Sequence, residues 1–279
     1  MASPLIEQAM SPEILDIAWR RLRTQHTPWS IDTDRDALEK HLVRHILQCR
    51  ADVLEGRYRP QPLRRFTLRK PDGKQRILSA QYLRDKFVQR ALLTVLEPRA
   101  EALFHEDSFA YRPNRNIQMA LNRARERINT GLDWLVDADI ASFFDSIPHR
   151  PLQKQLKRFI DDNAAMKLID QWLAHGAHQS SIFKSARGIA QGAILSPLFC
   201  NLYLHQFDLA LTRKHIPFVR FADDFLLFAA TKAQAAQALE YASQTLDKLG
   251  LELHPRKTRL IRSGPEVTFL GDKLPQPSR

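Results

Sequence analysis

The chain has 279 residues, 44% hydrophobic and 26% charged, enough for a sizeable core in one compact or two small domains. No run reaches the eighteen or so apolar residues of a membrane span, and the first ten residues lack a basic-then-apolar leader. Two cysteines in unrelated contexts, Cys49 and Cys200, do not read as a disulfide framework, so a cytoplasmic, reducing setting is expected.

In chain order, Ser11-Pro12-Glu13 reads as a helix start, with a capping hydroxyl, a proline at the first helical position and an acid in the first turn. Asp34 to Cys49 is predicted as a second helix with Leu38, Leu42, Ile46 and Leu47 on one stripe. Pro60 and Pro62 break the pattern. Arg65 to Leu68 and Gln75 to Leu78 then read as two short strands around the turn signal Pro71-Asp72-Gly73. A long helix from about Tyr82 to Glu97, burying Phe87, Ala91 and Val95, is expected to stop before Pro98. Leu135 to Ile140 is a short apolar strand interrupted by acids, with helical segments following around Leu152 to Leu173. Val219 to Ala229 reads as two strands joined at a tight acidic turn. Thr231 and Gln234 form a capping-box pair for a helix through Leu249, ended by Gly250, and Leu260 to Leu270 reads as a strand pair. This alternation predicts an α+β fold, an antiparallel sheet with helices on one face.

The charge is unevenly spread. The net charge of +11 favours a polyanion partner, and Gly56 to Arg76 carries eight basic residues against one acid, Asp72. Tyr58 and Phe66 in that segment could stack on bases, although packing is the commoner fate of such rings. His41 and His45 have a zinc-compatible spacing, but no suitably spaced cysteine or acid follows, so an exposed helix face is expected.

The most informative stretch is Phe221-Ala222-Asp223-Asp224-Phe225-Leu226-Leu227-Phe228, where two adjacent carboxylates sit in an otherwise apolar run. Burying them costs several kcal/mol, roughly, unless they are paired or bound to metal. A solvated hairpin tip is the plain alternative. A second acidic strand, Leu135-Val136-Asp137-Ala138-Asp139, could supply a further ligand, so that two divalent cations about 3.5–4 Å apart are held jointly. Mg²⁺ suits such hard oxygen donors, with Mn²⁺ as a substitute. Spacing leaves Asp137, Asp139 and Asp145 equally open.

Asp139-Ile140-x-x-Phe143-Phe144-Asp145, then Gln191-Gly192-x-x-x-Ser196-Pro197, then Phe221-Ala222-Asp223-Asp224 resemble three successive motifs of bacterial reverse transcriptases. Gly250-Leu251-x-Leu253-x-x-x-Lys257-Thr258 and Phe269-Leu270-Gly271 resemble the two that follow, and Ser108-Phe109-Ala110-Tyr111-Arg112-Pro113 is similar to a segment of the group II intron-like branch. The chain is therefore identified as similar to group II intron-like reverse transcriptases. Ser196 to Leu204 and the Phe-Ala-Asp-Asp hairpin look closest to the CRISPR-associated, Cas1-linked members.

That resemblance implies a right-hand polymerase with palm and fingers, and an RNA-directed DNA polymerase activity. The expected layout is an N-terminal helical extension over 1–55, fingers with interleaved palm segments over 56–134, palm over 135–271 and a short tail over 272–279. Because the sequence ends eight residues after Gly271, the thumb is expected to be absent or truncated. By motif position the resemblance makes Asp139, Asp223 and Asp224 the ligands of two Mg²⁺ ions, with Asp137 and Asp145 as supporting or structural acids. Phe144 matches the bulky residue that excludes a ribose 2′-hydroxyl, against the plain reading of a core phenylalanine. Lys70 and Arg76 match residues that grip the triphosphate, with Lys74 solvated. Gln191 and Gly192 match a site of backbone approach to nucleotide or template, against the plain reading of a turn before a helix. Lys257 matches a lysine that protonates pyrophosphate, where a surface charge is the plain reading. The implied partners are an RNA template, a DNA primer, dNTPs and the Cas1 and Cas2 integrase, in spacer acquisition for antiviral defence. Two other readings are a nucleic-acid-binding scaffold with little polymerase activity and a template-independent nucleotidyltransferase.

Overall fold

The computed structural model describes residues 4–69, 75–176 and 186–276. The chain opens with four helices, α1 (Leu5–Ala9), α2 (Pro12–Leu22), α3 (Arg35–Lys40) and α4 (Leu42–Leu54), followed by strands β1 (Arg64–Arg69) and β2 (Gln75–Ala80). Helices α5 (Leu83–Glu101) and α6 (Ile117–Asn129) lead to β3 (Trp134–Asp139). Then come α7 (Phe143–Ser146), α8 (His149–Phe159), α9 (Asn163–Gly176) and α10 (Ser196–Arg213). The hairpin β4 (Phe218–Phe221) and β5 (Asp224–Ala229), helix α11 (Lys232–Lys248), and β6 (Arg259–Arg262), β7 (Thr268–Phe269) and β8 (Asp272–Lys273) complete it. Two compact units result, each discontinuous in sequence: Met1–Ala102 with Pro148–Phe199, and Leu103–Ile147 with Cys200–Arg279. Among the described residues no helix is long and apolar enough to cross a membrane.

In the first unit, Ser11 caps α2 as its sequence predicts, its hydroxyl accepting from the Ile14 N–H at 3.4 Å. Such a cap is worth about 1 kcal/mol. The single helix expected from Asp34 to Cys49 is instead two, because His41 leaves the helical region (φ −135°, ψ 35°) between α3 and α4. The break turns α4 so that Cys49 and Val53 are its buried residues, while Leu47, placed on the expected stripe, is 57% exposed. Helix α5 likewise corrects the expected stop before Pro98: it runs through that proline to Glu101. The missing N–H costs one bond near the helix end, and the fully buried Ala100 beyond it anchors the last turn. Leu92 and Leu96 are fully buried on this helix, more so than Val95. Tyr58 packs in the core, edge-on to Trp172 with its hydroxyl on Asp85. Strands β1 and β2 pair antiparallel from Arg64↔Ala80 to Arg69↔Gln75. Their connection, with Lys70, Pro71-Asp72-Gly73 and Lys74, lies outside the described residues.

The second unit is built on a four-stranded antiparallel sheet in the order β4-β5-β3-β6. Leu135, Val219, Leu226 and Phe228 meet Ala120, Leu121, Ala124 and Ile128 of α6 in one apolar cluster. Helix α11 packs on β5, β3 and β6, and its buried residues Ala235, Ala238, Ala242 and Leu246 let it approach closely. Its start follows expectation, with Thr231 Oγ1 accepting from the Gln234 N–H at 3.2 Å. The strand pair expected within 260–270 does not form. β6 joins β3 instead, and β7 pairs with β8. Two ion pairs hold β6 there, Arg259 to Asp137 at 2.5 Å and Arg262 to Asp133 at 2.8 Å. The open ladder of β3 offers four paired positions, more than β7 could.

Candidate active site

Two neighbouring strands of the second unit bring the carboxylates together. β3 and β5 pair so that Asp139, the last residue of one, stands directly across from Asp224, the first of the other. Like charges directly opposite each other destabilise a sheet, and the arrangement persists because the sheet over-determines it. Beyond Asp139 the chain is tied down at Ile140, whose N–H donates to the Asp223 carbonyl at 3.3 Å. Next, Ala141 N–H donates to the Glu252 carbonyl at 2.8 Å. Between β4 and β5, Ala222 adopts a left-handed conformation (φ +60°), costing about 1–2 kcal/mol for a residue with a Cβ. That tight turn sets Asp223 and Asp224 side by side at the end of the sheet.

Asp139 is 8% exposed and Asp223 half-buried, whereas Asp224 keeps an open face. Burial first, then repulsion from Asp139, raises the Asp223 carboxyl, while Lys257 and Arg220 pull it back. Asp224 is pushed up to about 7 by partial burial, by its hydrogen bond with Asp139 and by the charges of Asp223 and Asp139. Lys257 answers them. Its ammonium donates to Asp139 Oδ2 at 2.7 Å, and that bond, with the three carboxylates around it, raises its own pKa against a smaller effect of burial. The loop carrying Lys257 is docked by the His254 N–H, which donates to the Asp139 carbonyl at 2.7 Å.

Three hard oxygen donors that repel one another at the end of a sheet suit a small divalent cation, which would relieve the repulsion without further protein groups. Among the described residues, however, no three His, Cys, Asp or Glu side chains stand arrayed for an ion. Asp139 turns Oδ2 to Lys257 instead.

Of the remaining candidates, Asp137 is engaged by Arg259 of β6, and Asp145 is exposed in the short α7. Phe144 is half-buried, its ring edge-on to the buried Phe143 at 5.8 Å between centroids. Gln191 and Gly192 belong to the first unit, in a turn ahead of α10, with Gly192 at φ +99°. A left-handed backbone of that kind favours glycine. There Ser196 Oγ donates to the Ala190 carbonyl at 2.8 Å. Arg76 is in β2, and Lys70 lies outside the described residues. Phe66 is 51% exposed on β1.

Sequence reasoning missed a second layer behind the hairpin. Arg220, in the middle of β4, is fully buried and paired with an equally buried Asp208 on α10. Its Nε and Nη2 donate to the two Asp208 oxygens at 2.7 and 2.6 Å. Nη1 donates to Asn201 Oδ1 at 3.2 Å and to the Ala222 carbonyl at 3.0 Å. The signal was available: a cation inside Phe218-Val219-Arg220-Phe221 must find a partner, because an unpaired buried charge is strongly disfavoured.

Comparison with known proteins agrees with this architecture. Residues 68–274 match the reverse transcriptase (RNA-dependent DNA polymerase) family. Protein YkfC of Escherichia coli (strain K12) is 30% identical over 89% of this chain and 76% of its own. The group II intron-encoded protein LtrA of Lactococcus lactis subsp. cremoris is 31% identical over 73% of this chain, and the chain spans only 34% of its length. Among solved structures, a chain of a partial Cas6-RT-Cas1–Cas2 complex superposes with a TM-score of 0.51 at 24% identity, covering 89% of this chain and 42% of that one. Telomerase from Candida tropicalis superposes with a TM-score of 0.55 at 14% identity, covering 76% of this chain and 43% of that one. Both structural likenesses speak to fold. The chain belongs to the reverse transcriptase family, in its group II intron-like branch, and is an RNA-directed DNA polymerase.

Proposed function

We propose that the chain copies an RNA template into DNA from dNTPs at a site formed by Asp139, Asp223 and Asp224, and that it works with a Cas1–Cas2 integrase in spacer acquisition. The observation that carries the first part is the opposition of Asp139 and Asp224 across the β3–β5 ladder with Asp223 beside them. A sheet that keeps three repelling carboxylates at one end has a use for a cation there. Mg²⁺, or Mn²⁺ in its place, would supply Lewis acidity when bound there, lowering the pKa of the primer 3′-hydroxyl and offsetting charge on the leaving pyrophosphate. In this reading Asp139 and Asp223 would hold the two ions, and Asp224 would help to place one of them.

The other residues position and discriminate. Lys257, held protonated by Asp139, delivers a proton to pyrophosphate as it leaves. Phe144 sits under the sugar and rejects a 2′-hydroxyl, while Lys70 and Arg76 take the triphosphate and Gln191 and Gly192 line the nucleotide or template. Catalysis is then mostly positioning and charge stabilisation. The integrase partnership is supported by the fold shared with a chain of the Cas6-RT-Cas1–Cas2 complex.

The test is primer extension on an RNA template with dNTPs and Mg²⁺, beside Asp223→Ala. Template-directed cDNA from the wild type, with none from a folded variant, is the expected result. Substantial extension by the variant would sink the ligand assignment. Homopolymer or random product would indicate template-independent addition, and inactivity even with added Cas1 would indicate a scaffold.

A further inference from the structure

The Arg220–Asp208 pair is in the wrong place for a device that only stabilises the fold. It lies directly behind the turn that carries Asp223 and Asp224, and one of its donors is spent on that turn. Asn201 and Asp208 are seven residues apart on α10, two helical turns, so both present to the same side and reach one guanidinium. Asn201 is itself fixed, its Nδ2 donating to the Ala110 carbonyl at 2.7 Å. The Arg220 backbone is held as well: its N–H donates to the Asp107 carbonyl at 2.8 Å, and its carbonyl accepts from the Phe109 N–H at 2.9 Å. An arginine fork locked on three sides thus presents one N–H to the Ala222 carbonyl. Ala222 is the left-handed residue on which the whole turn depends.

We infer that Arg220 is a positioning residue for the metal-binding turn: oriented by Asp208 and Asn201, it clamps the Ala222 carbonyl and so fixes where Asp223 and Asp224 point. The inference rests on the proposed role of those aspartates as ligands. Chemistry explains the residue type. The turn needs a donor inside an apolar layer, and only a guanidinium can bond a carboxylate bidentately while a third N–H reaches elsewhere. A lysine would have to choose.

The experiment compares wild type with the double variant Arg220→Met/Asp208→Leu, which removes both buried charges together and avoids orphaning either. Asp223→Ala is the control. In metal-free protein, hydrogen–deuterium exchange is followed in the peptide spanning residues 218–226. Mn²⁺ binding is titrated by electron paramagnetic resonance, and kcat and KM for dNTP are taken from single-nucleotide extension. The expected double variant melts as the wild type does but exchanges faster across the turn. Its Mn²⁺ midpoint rises about tenfold and its kcat falls on the order of 100-fold, the scale of a misplacement near 1 Å, while KM for dNTP stays within about twofold. A folded double variant with wild-type exchange, Mn²⁺ midpoint and kcat would overturn the inference. Should it not fold, Arg220→Lys, which keeps the buried charge, is judged by the same criteria. Equal Mn²⁺ midpoints in wild type and Asp223→Ala would overturn the ligand reading, and this inference with it. A loss of Mn²⁺ binding in Asp223→Ala alone would overturn only the inference.

Discussion

Replacing Lys257 with methionine separates a structural role from a chemical one, because the two predict effects of different size. The ammonium lies 2.7 Å from Asp139 Oδ2, but the lysine side chain is 59% exposed and the aspartate 11%. A pair so open to solvent is screened and contributes about 0.2–1 kcal/mol. Lys257→Met should therefore lower the melting midpoint by only about 2 °C in a chain of this size. Loss of a general acid, by contrast, costs about 10²–10⁴ in rate, or about 2.7–5.5 kcal/mol of barrier. The assay is single-turnover extension by one nucleotide at saturating Mg²⁺, alongside a thermal melt. The expected result is a fall in the chemical step of at least 100-fold, roughly, at nearly unchanged stability. A fall of less than about threefold would refute a proton-donating role and leave Lys257 as a counter-charge to Asp139. Lys257→Arg gives a further check, since it keeps the charge beside Asp139 but is a far weaker acid.

Two more perturbations test other parts of the argument. Phe144→Ala should raise rNTP incorporation relative to dNTP by about tenfold or more, measured by competing the two in one extension assay; unchanged discrimination would move the gate elsewhere. Burial pushes the Cys49 thiol up to about 12 from 9.0. Its folded state therefore keeps a proton that the unfolded chain releases above pH 9, and stability present below that pH is lost as the pH rises towards 12. From pH 8 to pH 10 this one group removes about 1.4 kcal/mol, so urea unfolding of Cys49→Ala should show a pH-dependent loss smaller by that amount. Equal losses in the two proteins would mean that the folded-state thiol ionises normally.

The carboxylates that meet at the candidate site could be picked out of the sequence because their pattern is local. Asp223 and Asp224 interrupt an apolar run, and Asp139 ends another, so both stretches declared strands that had to meet something charged. The register that sets Asp139 against Asp224 was not legible, since pairing is a long-range choice. His41 ends one helix and begins the next without a glycine or proline to mark the break. Pro98 errs the other way: its local rule says stop, and burial of Ala100 overrides it. The strand pair expected within 260–270 fails because the two salt bridges of β6 reach Asp133 and Asp137, more than 120 residues earlier. The Arg220–Asp208 bond spans only 12 residues, yet it joins a helix to a strand, and no spacing rule links the two.

Each compact unit is assembled from two separated stretches of chain, and this has a consequence for synthesis. The first 102 residues of the first unit leave the ribosome without the 148–199 stretch that completes it. At about 5–20 residues per second, the missing partner arrives on the order of 5–20 s later. Throughout that interval the apolar faces of α2 and α5, including Leu15, Leu22, Leu92 and Leu96, depend on each other for cover. Nascent chains stalled between residues 102 and 199 should therefore be the species that chaperones and proteases engage most.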